Sequence, residues 1–188
     1  MIYDTYIFDL DGTLLNTLND LMTSCNYALK KNGLEERTKD EIQQFVGNGV
    51  RKLIERAVPG GDTNPRFEQI LETFRKHYME HGLDTTEPYP GIEETLERLQ
   101  QEGCRMAVVS NKFYDATREL VEYFFGDYIE VAVGECETAM PEVIPHGFPR
   151  HPLLKKPAPD TVNEALRQLN ATKQHAVYVG DSDVDILT

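Results

Sequence analysis

"YIFDLDGTLLN", Tyr6 to Asn16, is a run of aromatic and branched residues that ends in two carboxylates, Asp9 and Asp11, followed by Gly-Thr. The apolar part reads as a strand from Tyr3 to Asp9, with the acids at its carboxyl end. Side chains two apart on a strand point the same way, so these charges repel each other. Such crowding disfavours folding unless it serves a purpose. A cation between the carboxylates, or acid–base and nucleophilic work on a bound anion, supplies one. Gly12 permits a tight turn whose backbone N–H groups can face an anion, although Asp-Gly-Thr is also ordinary turn chemistry.

Beyond this stretch the pattern turns helical. Leu18, Leu21, Met22, Cys25, Ala28 and Leu29 share one face of a first helix, which stops at "KKNG" with Gly33 suited to a left-handed cap. "TKDE", Thr38 to Glu41, forms a capping box for a second helix. Val50, Leu53, Ile54 and Ala57 line a third, "VPGGDTNP" breaks it, and Phe67, Ile70, Leu71, Phe74 and Tyr78 line a fourth.

After "EPYPG", Glu87 to Gly91, the mode changes to alternation. Helices over Ile92–Glu102, Asp115–Phe125 and Asp160–Asn170 alternate with the strands "CRMAVVSN", "YIEVAVG" and "HAVYVGD". They present Ile92, Leu96 and Leu99, then Leu120, Val121 and Phe124, then Val162, Ala165, Leu166 and Leu169. Alternation at this length indicates βαβ units and a parallel sheet. The expected fold is α/β: a doubly wound, Rossmann-like core over 1–16 and 87–188, interrupted by an inserted helical subdomain over 17–86.

The chain has 188 residues, 40% of them hydrophobic, enough for a sizeable core. Nineteen basic residues against 32 acidic ones give a net charge of −13, which disfavours a nucleic-acid partner. A small phosphorylated metabolite can still bind where a few donors and a metal converge. Cys25, Cys104 and Cys136 are dispersed and odd in number, which fits small buried residues in a reducing compartment. A start that reaches Asp4 and Asp9 so early does not read as a signal peptide, and no apolar run is long enough for a membrane span. A soluble cytoplasmic protein, monomer or homodimer, is expected.

Ligands of doubly wound sheets bind beyond the carboxyl ends of the strands. The unusual polar residues fall at such ends: Asp9 and Asp11, Ser110 and Asn111, Asp181 and Asp185. Asp181 at a strand tip suits a hard cation such as magnesium, and Asp185, one helical turn on, suits a supporting role behind the ligands. Asp183 reads as charge favoured at a helix N-terminus. Ser110, with Asn111 and Lys112 beside it, offers a hydroxyl and N–H groups to phosphate oxygens, or a helix cap. Lys155 or Lys156, before "PAPD", can neutralise a phosphoryl group, the proline neighbour favouring Lys156.

"DLDGT", "VVSNK", "KKPAPD" and "VGDSDVD", in that order, resemble the motif set of haloacid dehalogenase-superfamily phosphatases. The helical insertion after the first motif resembles that superfamily's cap, and "FVGNGVRKLIERA" with "PYPG" resembles phosphoglycolate phosphatase-like members. The likeness implies Asp9 as nucleophile, forming an aspartyl-phosphate, and Asp11 as the acid and then base. It implies Mg²⁺ on Asp9, the Asp11 carbonyl and Asp181, with Ser110 and Lys156 on the transferring phosphoryl. A second acid two residues after the nucleophile favours ester hydrolysis over carbon–halogen cleavage, which has no alkoxide to protonate.

Phosphoglycolate is the leading substrate on this reading, with Arg51, beside Lys52, placed to grip a substrate carboxylate when the cap closes. A β-phosphoglucomutase-like phosphosugar mutase is a second reading, and a non-catalytic phosphate-accepting regulatory domain a third. Two departures stand out. The connection over 134–155 is long and rich in proline, and the chain ends at "DILT" where the resembled proteins continue with a helix and a further strand. The end of the core is therefore expected to be missing, leaving an open sheet edge and exposed apolar surface.

Overall fold

The computed structural model describes residues 3–136 and 152–188. β1, Thr5–Phe8, is the centre of a sheet because its alternating and consecutive apolar side chains are covered on both faces. The chain divides into two units, one comprising Met1–Leu15 and Pro88–Thr188, the other Asn16–Glu87. It passes between them through two short strands, β2 (Leu15–Asn16) and β3 (Glu87–Pro88), which pair with each other.

The second unit is helical throughout. It contains α1 (Leu18–Lys31), α2 (Lys39–Phe45), α3 (Val50–Ala57) and α4 (Phe67–His81), with one 3-10 turn at Gly61–Thr63. Thr38 and Glu41 cap α2 reciprocally, as their spacing predicts. Gly33 follows α1 with φ +68°, the left-handed turn that lets the chain reverse. The expected faces of α3 and α4 are buried completely; on α1, Leu21, Cys25, Ala28 and Leu29 are buried while Leu18 and Met22 are half-buried.

The first unit holds α5 (Ile92–Gln101), β4 (Arg105–Phe113), α6 (Tyr114–Phe125), β5 (Val131–Glu135), α7 (Asp160–Leu169), β6 (Ala176–Val179) and α8 (Asp183–Ile186). Its sheet has the order β5-β4-β1-β6, and every pair is parallel. From β1 the chain builds outward through β4 to β5, then returns to lay β6 on the other side of β1. This reversal of strand order opens a crevice at the carboxyl ends. Ile7, Ala107, Val109, Val133, Leu153, Ala165, Leu166 and Leu169 form a core of this unit.

Several details differ from expectation. β1 is shorter than Tyr3–Asp9 at both ends. β4 is longer, running to Phe113 through residues that are nearly all buried. The expected faces of the three remaining helices, α5, α6 and α7, turn inward, with differences in detail. On α5 Leu96 is buried and Ile92 and Leu99 are half-buried while the rest of the helix is exposed; Phe124 on α6 and Val162 on α7 are half-buried, with Phe125, and Thr161 and Glu164, buried beside them. The proline-rich connection lies mostly outside the described residues; at its ends Cys136 and Leu153 form an antiparallel bridge. Ile186 and Leu187 are exposed. No helix among the described residues is long and apolar enough to cross a membrane.

Candidate active site

Register brings the strand tips level. Phe8 pairs with Val108 on one side and Val179 on the other, so Asp9, Ser110 and Asp181 follow from adjacent strands at nearly the same height. The Asp9 N–H donates to Val179 O at 2.8 Å, extending the ladder into the site. Asp9, Asp181 and Asp185 each present a carboxylate oxygen within 4.8 Å of the others. Asp9 and Asp185 are buried and Asp181 is exposed.

Lys156 sits among the acids. Its Nζ lies 2.8 Å from Asp9 Oδ1 and 2.7 Å from Asp185 Oδ1. It also donates to the Tyr178 hydroxyl at 3.0 Å, and that hydroxyl donates to Asp185 Oδ1 at 2.9 Å. The other Asp185 oxygen accepts from the Ser182 N–H and O–H at 3.0 and 2.6 Å. Both Asp185 oxygens are thus engaged by protein donors. Lys155 turns elsewhere, 3.8 Å from Glu135. Asn111 brackets the Lys156 backbone, accepting its N–H at 2.8 Å and donating to its carbonyl at 3.1 Å. Ser110 is buried, and its Oγ accepts the Lys112 N–H at 3.1 Å.

Asp11 pairs with the buried Lys112, Nζ to Oδ1 3.1 Å. Thr13 Oγ1 donates to Asp181 Oδ1 at 3.2 Å. A Cβ at Gly12, whose φ is +89°, would collide with the Asp181 carboxylate, and one at Gly180 would collide with Asp185. Glycine at these positions lets the two loops close onto the acids. Arg51 belongs to the helical unit, where it makes a bidentate pair with Glu68 at 2.6 and 3.2 Å and lies over the Phe67 ring.

The electrostatics follow from burial. Asp9 is raised from an ordinary carboxylate value to about 7, chiefly by desolvation; Lys156 opposes the shift, and the charges of Asp185 and Asp11 reinforce it. Burial also raises Asp185, but hydrogen bonds from Lys156 and Ser182 outweigh it and hold the group below its usual range. The Tyr178 phenol is pushed well up by burial and by Asp9 and Asp185, so it keeps its proton. Burial and the charges of Asp181 and Asp11 raise Tyr89 as well, placing that side chain within reach of the cluster's field. A cation facing Asp9 and Asp181 would relieve this concentration of charge, and an all-oxygen donor set suits a hard ion.

Lys112, Tyr178 and Ser182 are members to which sequence reasoning gave no role. Lys112 had a signal in its place beside Ser110 and Asn111. Tyr178 had none, since it reads as one more residue of a strand.

Residues 6–188 match the haloacid dehalogenase-like hydrolase family. The chain belongs to that family. It is 35% identical over 182 residues to a phosphoglycolate phosphatase of Aquifex aeolicus, covering 96% of this chain and 76% of the relative. A phosphoglycolate phosphatase of Agrobacterium fabrum is 41% identical, with 96% and 73% covered. Among solved structures, an inferred phosphoglycolate phosphatase from Lactobacillus delbrueckii subsp. bulgaricus aligns with a TM-score of 0.84 at 32% identity, covering 100% of this chain and 82% of that one.

Proposed function

We propose that the chain is a Mg²⁺-dependent phosphatase of small phosphomonoesters, with phosphoglycolate the leading substrate. The observation that carries this reading is the meeting of Asp9 with Lys156, Asp181 and Asp185 beyond the carboxyl ends of the neighbouring strands β1 and β6. The names borne by its relatives favour phosphoglycolate.

In this reading Asp9 attacks phosphorus in line through Oδ2, since both of its hydrogen-bonding partners, Lys156 and the Leu10 N–H, approach Oδ1. The bond from phosphorus to the ester oxygen breaks as the aspartyl-phosphate forms, and Asp11 gives its proton to the departing alkoxide. Asp11 then takes a proton from the water that attacks the phosphoryl, releasing phosphate and restoring Asp9. Asp11 must leave Lys112 to do so. Lys156 and Ser110 offset charge on the transferring group, and Asn111 acts by fixing Lys156. Asp9, Asp181 and the Asp11 carbonyl would hold Mg²⁺, which supplies charge neutralisation for the phosphoryl oxygens. Asp185 orients Lys156. The helical unit would serve as a cap, with Arg51 exchanging Glu68 for the substrate carboxylate.

A phosphate-release screen across phosphomonoesters, with Mg²⁺ and with EDTA, tests this. Turnover should require the metal and disappear in Asp9→Asn. Full activity in that variant overturns the mechanism. A preference for another ester changes the substrate alone. Conversion of a hexose 1-phosphate to the 6-phosphate would replace hydrolysis by the mutase reading.

A further inference from the structure

The helical unit carries a second group of metal-capable side chains, unrelated to the acidic cluster. His77 and His81 stand one turn apart on α4 with ring centroids 4.3 Å apart. Residues four apart on a helix share a face, and two histidines so spaced are a recurring way for one helix to offer two nitrogens to a cation. Tyr27 of α1 also lies against His77, centroid to centroid 4.1 Å, and restricts its rotation.

Each ring is oriented through the same nitrogen. His77 Nδ1 is 2.9 Å from the hydroxyl of Ser24, a fully buried residue, and His81 Nδ1 is 2.8 Å from Asp84 Oδ2. An ionised carboxylate only accepts, so His81 donates from Nδ1 to Asp84, leaving Nε2 as the nitrogen for a ligand. Ser24 holds His77 through the same nitrogen, so Nε2 is the one left for a ligand there as well. A hydrogen-bond partner behind Nδ1, which leaves Nε2 as the nitrogen for a ligand, is the arrangement that prepares a histidine to bind metal. Burial and the neighbouring His81 hold the His77 pKa below its ordinary value, against weaker opposing pulls from Glu80 and Asp84, which keeps the nitrogen unprotonated near neutrality.

We infer that His77 and His81 form a binding site for a borderline divalent transition metal, Zn²⁺, Ni²⁺ or Cu²⁺. Paired imidazoles select these ions over magnesium, which prefers oxygen. With two protein ligands the ion keeps water at its other positions, so it exchanges readily and accepts a further ligand from solution.

Cu²⁺ titration of the full-length chain saturated with Mg²⁺, followed by electron paramagnetic resonance, tests the inference, because nitrogen and oxygen ligands give different splittings. One equivalent should show two-nitrogen coordination. His77→Gln and His81→Gln should each reduce it to one nitrogen and weaken binding at least tenfold. Ser24→Ala should weaken it about tenfold by releasing the His77 ring. His81 is partly exposed, so His81→Gln alone decides the matter if His77→Gln does not fold. An oxygen-only spectrum, or unchanged binding in His81→Gln, overturns the site. Mg²⁺-dependent turnover should be the same in wild type and His81→Gln.

Discussion

Lys156 places its ammonium 2.8 Å from Asp9 Oδ1, against a carboxylate whose ionisation burial otherwise opposes. The same ammonium contacts Asp185, so removing it leaves two buried acids without their shared cation. Lys156→Ala should destabilise the chain by about 3–5 kcal/mol, the range for breaking a buried pair, and abolish turnover. Lys155→Ala, which loses a longer and more exposed contact to Glu135, should cost about 1 kcal/mol or less. Urea denaturation of the two variants checks the contrast. Equal losses would mean that the buried pair has no special weight.

The raised pKa of Asp9 makes stability depend on pH in a defined direction. Its folded value is about 7 and its unfolded value 3.8, so between them the folded chain holds the extra proton. The contribution of Asp9 is therefore fully present below about pH 4 and lost as pH rises to about 7, to a maximum of about 4 kcal/mol. Asp185 has the opposite tendency, so the comparison must be with Asp9→Asn. In EDTA, that variant should gain stability relative to wild type on going from pH 5 to pH 8. With Mg²⁺, which favours the ionised form, the difference should shrink. A pH-independent difference in EDTA would show that Asp9 titrates normally.

Residues whose role follows from position along a strand were legible; residues whose role depends on a partner elsewhere were not. Asp9 and Asp181 could be read because βα alternation places them at strand tips, and parallel register then brings those tips level. The capping box at Thr38 and Glu41 is local and was equally clear. Glu164 escaped notice because a charged residue in a helix reads as solvated, yet it is buried and paired with Arg167 at 2.6 Å. Tyr178 fits an apolar strand, and nothing in its neighbours indicates that its hydroxyl reaches Lys156. On α7 the limit is the same: apolar periodicity marks Ala165, Leu166 and Leu169, which are buried, but passes over the polar Thr161 and Glu164 buried beside them.

The Tyr178 hydroxyl accepts from Lys156 and donates to Asp185, and so fixes the lysine relative to the acids. Tyr178→Phe preserves the ring and removes only this link. Groups that orient a reacting side chain from behind commonly contribute about 10- to 100-fold in activity. The variant should lose kcat by that factor with little change in KM, because the phenol does not touch the substrate in the proposed mechanism. A rise in KM at constant kcat would assign the hydroxyl to substrate binding instead.

Asp20 performs a comparable task in the helical unit. From the first turn of α1 its buried carboxylate accepts the N–H and O–H of both Thr85 and Thr86, at 2.6–3.1 Å. Those threonines immediately precede Glu87, where the chain leaves the unit, so one side chain ties its first helix to its last residues. Asp20→Ala leaves the buried Thr86 N–H and its neighbours unsatisfied and should cost about 2–4 kcal/mol, each orphaned donor contributing about 1–3 kcal/mol. Asp20→Asn keeps one acceptor oxygen and should lie between the variant and wild type. Hydrogen exchange gives the more specific readout: the Thr85 and Thr86 amides should lose protection in Asp20→Ala while those within α3 keep theirs. Undiminished protection at both threonines would mean that packing, rather than this carboxylate, holds the segment in place.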